Sequence, residues 1–248
     1  MDAGQYEQHS KRRALPAAFL LGAMLALCPA HALAAGEGPP AEARPVPAEA
    51  RPQLFGTVEF RRPLKKQQNW LSVLRRNAED PVFTESRLLG PGITWGELRA
   101  KAAGRPFAGM LDVVNRFWNA WPYRLDSEVW GREDFWASPA EFLSRSGDCE
   151  DYCIAKYFTL RELGVPAGDM RIVVVRETVR GETHAVLAVY EGRQVHILDN
   201  LVEHVRPMRR VRNYEPYFSV NENGRWMHVK AKPPEEGKAT EKGHGKER

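Results

Sequence analysis

From residue 148 onward the chain holds one long helical segment followed only by strand-like runs, and this order constrains the fold more than any other feature. Residues 148–163 read as a helix: Asp148 can cap the start, Gly164 closes it and Pro166 stops its continuation. Residues 172–175 form a β-branched run suited to a buried strand. Residues 183–190 and 193–199 flank Glu191-Gly192, and residues 217–220 and 226–229 flank Asn223-Gly224. Both dipeptides read as hairpin turns. Upstream, apolar residues at 110, 113, 114, 117, 118 and 121 make one face of a helix. Ser138-Pro139-Ala140-Glu141 is a capping box with proline at the first helical position. Helices first and antiparallel strands after them predict an α+β fold, with a helical N-terminal part packed on an antiparallel sheet.

The ends read differently. Lys11, Arg12 and Arg13 precede an almost wholly apolar run over 14–28, then Ala32-Leu33-Ala34. This pattern predicts a cleaved secretory signal over 1–34, cut after Ala32 or Ala34, and hence an exported protein. The run is short for a membrane span, and Leu27 fits poorly before a lipid-modified Cys28. Residues 35–53 repeat PAEARP and read as an extended linker. Residues 229–248 are rich in Lys, Glu, Gly and Pro and read as a disordered charged tail, which leaves a domain over 54–228.

The 248 residues carry 36 Lys+Arg against 32 Asp+Glu, a net of +4. Within 54–228 the balance is 25 basic to 23 acidic residues, with no basic stripe and no nucleic-acid motif, so a nucleic-acid partner is not expected. Three cysteines exclude a disulfide-built scaffold, and removal of the signal leaves two.

Chemistry concentrates in Gly147-Asp148-Cys149-Glu150-Asp151-Tyr152. Cys149 falls in the first turn of the predicted helix, where free N–H groups and the helix dipole favour a thiolate. The neighbouring carboxylates oppose it. Each charge about 4 Å away costs a thiolate about 1 kcal/mol in water and about 4 at an effective dielectric near 20. Either these acids cap the helix and face solvent, or a bound cation offsets them, and oxygen-only ligands select Ca²⁺. A thiolate also needs a base and an orienting group. A two-residue turn at Glu191-Gly192 sets His184 directly opposite Asp199 on one face, with Cβ atoms roughly 5 Å apart, and turns His196 to the other. Cys153 lies one turn after Cys149 and reads as a small buried hydrophobe. Trp118 and Trp121 read as core, whereas Trp130 and Trp136 precede the helix and either pack or line a substrate groove.

A cysteine at a helix start, then His and Asp on successive strands, resembles the transglutaminase-like branch of papain-type cysteine proteases. The stretches 130–131, 134–143, 147–152, 154–161 and 163–166, with Arg171-Ile172-Val173, His184 and Leu198-Asp199-Asn200-Leu201, are similar to the bacterial transglutaminase-like cysteine proteinases. Within that family they resemble the LapG-type periplasmic proteases, over about residues 60–228. The resemblance implies a papain-like α+β fold and a calcium-dependent endopeptidase. Such an enzyme cuts the N-terminal region of a large surface adhesin next to paired alanines, promoting biofilm dispersal. An inner-membrane cyclic-di-GMP receptor would sequester it. By position it implies a triad of Cys149, His184 and Asp199, with Ca²⁺ ligands including Asp148, Glu150 and Asp151. Two other readings are an acyltransferase or amidase using the same triad, and a non-catalytic calcium-binding partner module.

Overall fold

The computed structural model describes residues 51–231. The predicted signal segment, nearly all of the linker and most of the charged tail lie outside the described residues. Among the described residues no helix is long and apolar enough to cross a membrane.

The described chain follows the predicted order of helices before the main sheet, except that strand β1 of that sheet and a small two-stranded ladder come early. Strand β1 (Thr57–Arg62) and helix α1 (Gln68–Glu79) come first. A small ladder of β2 (Leu88–Gly90) and β3 (Ile93–Thr94) precedes α2 (Trp95–Ala102). Helices α3 (Phe107–Asn119), α4 (Asp126–Val129), α5 (Pro139–Arg145) and α6 (Cys149–Glu162) follow. Strands β4 (Met170–Glu177), β5 (Thr183–Glu191), β6 (Gln194–Leu198), β7 (Arg206–Pro207), β8 (Tyr214–Asn221) and β9 (Gly224–Lys230) complete it. Seven strands form one antiparallel sheet in the order β1-β9-β8-β4-β5-β6-β7. Strand β9 runs past the domain edge expected at residue 228 because it pairs with β1, with Val58 opposite Val229.

Helix α6 lies in the middle of the core, and every residue from Asp151 to Leu160 is buried. It packs with Trp118 of α3, Phe142 of α5 and Ala185, Leu187 and Leu198 of the sheet in one cluster. The aromatic rings interlock edge to face, with Trp118–Phe142 centroids at 5.4 Å and Phe142–Tyr152 at 4.9 Å. The Trp118 indole N–H donates to Thr159 Oγ1 at 2.8 Å, so a polar atom is satisfied inside that contact. A second cluster, including Val173, Val175, Val186 and Ile197, draws on the alternate strand residues.

Both hairpin turns sit one residue from their expected places. Glu191 pairs with Gln194, so the first turn is Gly192-Arg193, and Gly192 takes the left-handed φ of 58° that glycine tolerates. Asn221 pairs with Gly224, and the Asn221 Oδ1 accepts from the Asn223 N–H at 2.8 Å, which fixes the second turn at Glu222-Asn223. Moving a turn by one residue moves the register by two, so each side chain keeps its face. His184 therefore sits diagonal to Asp199 rather than directly opposite it.

His228 ties three strands together. Its ring nitrogens bond Thr57 Oγ1 at 2.8 Å and Ser219 Oγ at 2.9 Å. Burial pushes its pKa down from 6.5 to about 4, so the fold favours the neutral ring. This stabilisation is complete above pH 6.5 and is lost as pH falls from 6.5 towards 4, about 3 kcal/mol in all. Urea midpoints at pH 7 and pH 4.5 should differ more for the native chain than for His228→Gln; equal differences would refute this.

Candidate active site

The start of α6 is locked from several sides. Ser146, with φ 65°, ends α5 and donates its hydroxyl to the Pro122 carbonyl. The Arg124 N–H donates to the Gly147 carbonyl at 2.9 Å, and Tyr123 bridges to Gly147. A Cβ on Gly147 would lie 2.0 Å from Asp151 Oδ2, so only glycine fits. Asp151 is fully buried and cannot step aside: Oδ1 accepts from the Ala137 N–H at 2.6 Å and Oδ2 from the Asp148 N–H at 3.3 Å. Asp151 thus ties the first turn of α6 to the segment before α5.

Asp148, Glu150 and Asp151 lie at the start of α6 and are partly or fully buried rather than solvent-facing. Asp126 of α4 and Asp134 join them. Carboxylate oxygens of Asp126, Asp148 and Asp151 lie within 4.8 Å of one another, as do those of Asp126, Asp134 and Glu150. The Asp126 and Asp148 Oδ1 atoms are buried without a hydrogen-bond partner. Burial, reinforced by Glu150, pushes the Asp148 carboxyl up to about 8, and burial pushes Asp126 up to about 6. Burial also raises Asp151 well above the usual carboxylate range. Such oxygens are costly to bury alone and suit a hard cation. Asp126 and Asp134 were missed in the sequence because they precede the cysteine by 23 and 15 positions; a one-turn helix and a loop return them to it.

Cys149 lies in the same cluster, its sulfur within 4.8 Å of Asp148 and Glu150 oxygens. The thiol donates to Glu150 Oε2 at 3.2 Å rather than to an imidazole. Burial first, then the Glu150 and Asp148 charges, raise its pKa well above that of an ordinary thiol.

The second group is His184 with Asp199. The His184 Nε2 lies 3.0 Å from Asp199 Oδ1, which leaves Nδ1 as the second ring nitrogen. Asp199 is fully buried and richly held. Tyr214 donates its hydroxyl to Oδ2 at 2.6 Å, the Leu201 N–H donates to Oδ1 at 2.9 Å, and Arg206 reaches Oδ2 at 3.5 Å. Burial alone would raise this carboxyl, but the bonds from His184, Tyr214 and Leu201 outweigh it and hold it below the usual range. Cys153 and Lys156, both buried on α6, feel the Asp199 charge, so the helix and the His–Asp pair are electrostatic neighbours. Cys153 is 1% exposed, the inert neighbour expected of it.

An open cleft of about 530 Å³ lies beside the segment leading to Cys149, lined by Trp121, Pro122, Arg124, Ser144, Arg145 and Ser146 among others. Its aromatic wall is Trp121. Trp136 is buried in the core, and Trp130 packs on Phe135 at 4.5 Å, so neither lines this cleft.

The family model for bacterial transglutaminase-like cysteine proteinase, BTLCP, matches residues 98–233. Among solved structures, Legionella pneumophila LapG is 34% identical over 54% of this chain and 75% of its own, with a TM-score of 0.48. The EGTA-treated form of that protein is 34% identical, covers 54% and 73%, and also scores 0.48. The calcium-bound form is 29% identical over 63% of this chain and 86% of its own, with a TM-score of 0.51. Curated proteins gave no match. The matched span exceeds half of the 248 residues and contains every residue of the site built above, and on that evidence the chain belongs to the bacterial transglutaminase-like cysteine proteinases, a family of cysteine peptidases with an α+β fold.

Proposed function

We propose that this chain is a calcium-dependent periplasmic endopeptidase that uses Cys149, His184 and Asp199, and that its substrate is the N-terminal region of a large surface adhesin. The observation that carries the reading is a thiol at the start of a buried helix and a buried, hydrogen-bonded His–Asp pair at strands that pack against that helix. In this mechanism Cys149 attacks the scissile carbonyl and His184 accepts the thiol proton. The N–H of Cys149 helps to hold the oxyanion. Collapse of the tetrahedral intermediate breaks the C–N bond, and the proton returns from His184 to the leaving amine. Water then hydrolyses the thioester, with His184 again the base. Asp199 keeps the imidazole oriented throughout.

The oxygen set fits Ca²⁺. Asp148, Glu150 and Asp151 would hold the ion, joined by Asp126 and Asp134 through the groupings Asp126–Asp148–Asp151 and Asp126–Asp134–Glu150, and the unpartnered buried Oδ1 atoms of Asp126 and Asp148 supply the need for one. Bound there, calcium supplies positive charge that offsets the carboxylates around the thiol. The calcium-bound relative supports calcium as the ion. The resemblance to LapG-type proteases further supports cleavage next to paired alanines and sequestration by an inner-membrane cyclic-di-GMP receptor, with adhesin release favouring biofilm dispersal.

An adhesin N-terminal fragment containing an Ala-Ala pair, incubated with the protein and calcium, should yield two products whose masses sum to the substrate plus one water. Substituting the alanines should suppress the cut. Isopeptide-linked products, or no reaction, would contradict the proposal.

A further inference from the structure

Asp199 lies just past the end of β6, where the sheet no longer holds its backbone. Helix α3 holds it instead. Its apolar face packs on α6, but a polar stripe at Asp112, Asn115 and Asn119, spaced as one helix face, meets the loop that runs from Asp199 to Val205. Asn115 is fully buried. Its Oδ1 accepts from the Asp199 N–H at 3.2 Å, and its Nδ2 donates to the Val202 and Glu203 carbonyls, both at 3.0 Å. Asn119 Nδ2 donates to the Asp199 and Val202 carbonyls, both at 2.9 Å. Asp112 Oδ1 accepts from the Val205 N–H at 2.8 Å. Three side chains thus bond five backbone groups of one loop, including both the N–H and the carbonyl of Asp199.

We infer that Asn115 and Asn119 are positioning residues that fix the backbone of Asp199, and through it the tilt of the His184 ring; the inference rests on the catalytic role proposed for that pair. Only a carboxamide meets the requirement at residue 115, because the position must accept from one N–H and donate to two carbonyls at once. An aspartate there would set a carboxylate against two carbonyl oxygens. The loop has no regular ladder after β6, so these bonds replace one. The Asp199 side chain has its own partners, but its Cα is placed by the clamp. A displacement near 1 Å at such a point can cost about a hundredfold in rate.

The test is Asn119→Ala, the milder change because this residue is only half-buried, with Asn115→Ala beside it. On an Ala-Ala peptide with calcium present, kcat should fall about tenfold to a hundredfold with KM within about twofold. Independently of activity, the downfield ¹H NMR signal of the His184 ring N–H, assigned by its absence in His184→Gln, should shift or broaden in both variants. An unchanged kcat, or an unmoved His184 signal in a folded variant, would overturn the clamp. Should Asn115→Ala fail to fold, Asn119→Ala decides alone. If Cys149→Ala still cleaves the peptide, the protease reading fails, while the His184 signal still decides the clamp.

Discussion

Replacing Cys149 by alanine is expected to lower peptide hydrolysis by about 10⁴-fold or more while leaving the fold intact. Loss of the nucleophile removes the covalent route, and the helix-start amides that remain cannot replace it. The side chain is only partly buried, and the first-turn bonds of α6 run through Asp148, Asp151 and the backbone rather than through the sulfur. Far-UV circular dichroism and the melting temperature should therefore be close to those of the native chain. Calcium affinity should also persist, since the cation would be held by carboxylates. Substantial cleavage by the alanine variant would show that Cys149 is not the nucleophile.

Calcium removal is expected to have the second-largest effect. Treatment with EGTA should reduce hydrolysis at least a hundredfold, and added calcium should restore it. Negative charge surrounds the thiol: Glu150 accepts its hydrogen bond, and Asp148 lies in the same cluster. A thiolate there would sit beside two carboxylates at about 1 to 4 kcal/mol each, enough to account for losses of this size. Magnesium should restore activity poorly, because it demands a tight octahedral set and keeps its waters. Asp126→Asn should weaken calcium binding by calorimetry, since Asp126 belongs to two of the carboxylate groupings. Full activity in EGTA, or unchanged affinity in Asp126→Asn, would contradict the assignment.

The sequence was legible where local rules determine the outcome. The helix from Cys149 was readable from its cap and from Gly164, and the strands from β-branched runs. The His184–Asp199 pairing survived a misplaced turn because a two-residue register change preserves the face. What was illegible depends on tertiary context. Helix α6 is buried almost all round, so it has no apolar stripe, and its fully buried Lys156 reads as an ordinary surface residue. Asp126 and Asp134 reach the cluster only through the path of a short helix and a loop. Tyr214, which donates to Asp199, lies 15 residues beyond it on a strand separated from β6 by β4 and β5. Asn115 and Asn119 look like ordinary polar positions on an amphipathic helix until the loop they hold is in place.

The central claim is that Cys149 is the nucleophile of a peptidase. It is tested most directly by treating the calcium-loaded protein with iodoacetamide and mapping the modified peptides by mass spectrometry as activity decays. The account predicts that residual activity falls in proportion to alkylation of Cys149, while Cys153, 1% exposed, stays unmodified. Activity that persists after Cys149 is fully alkylated would contradict it.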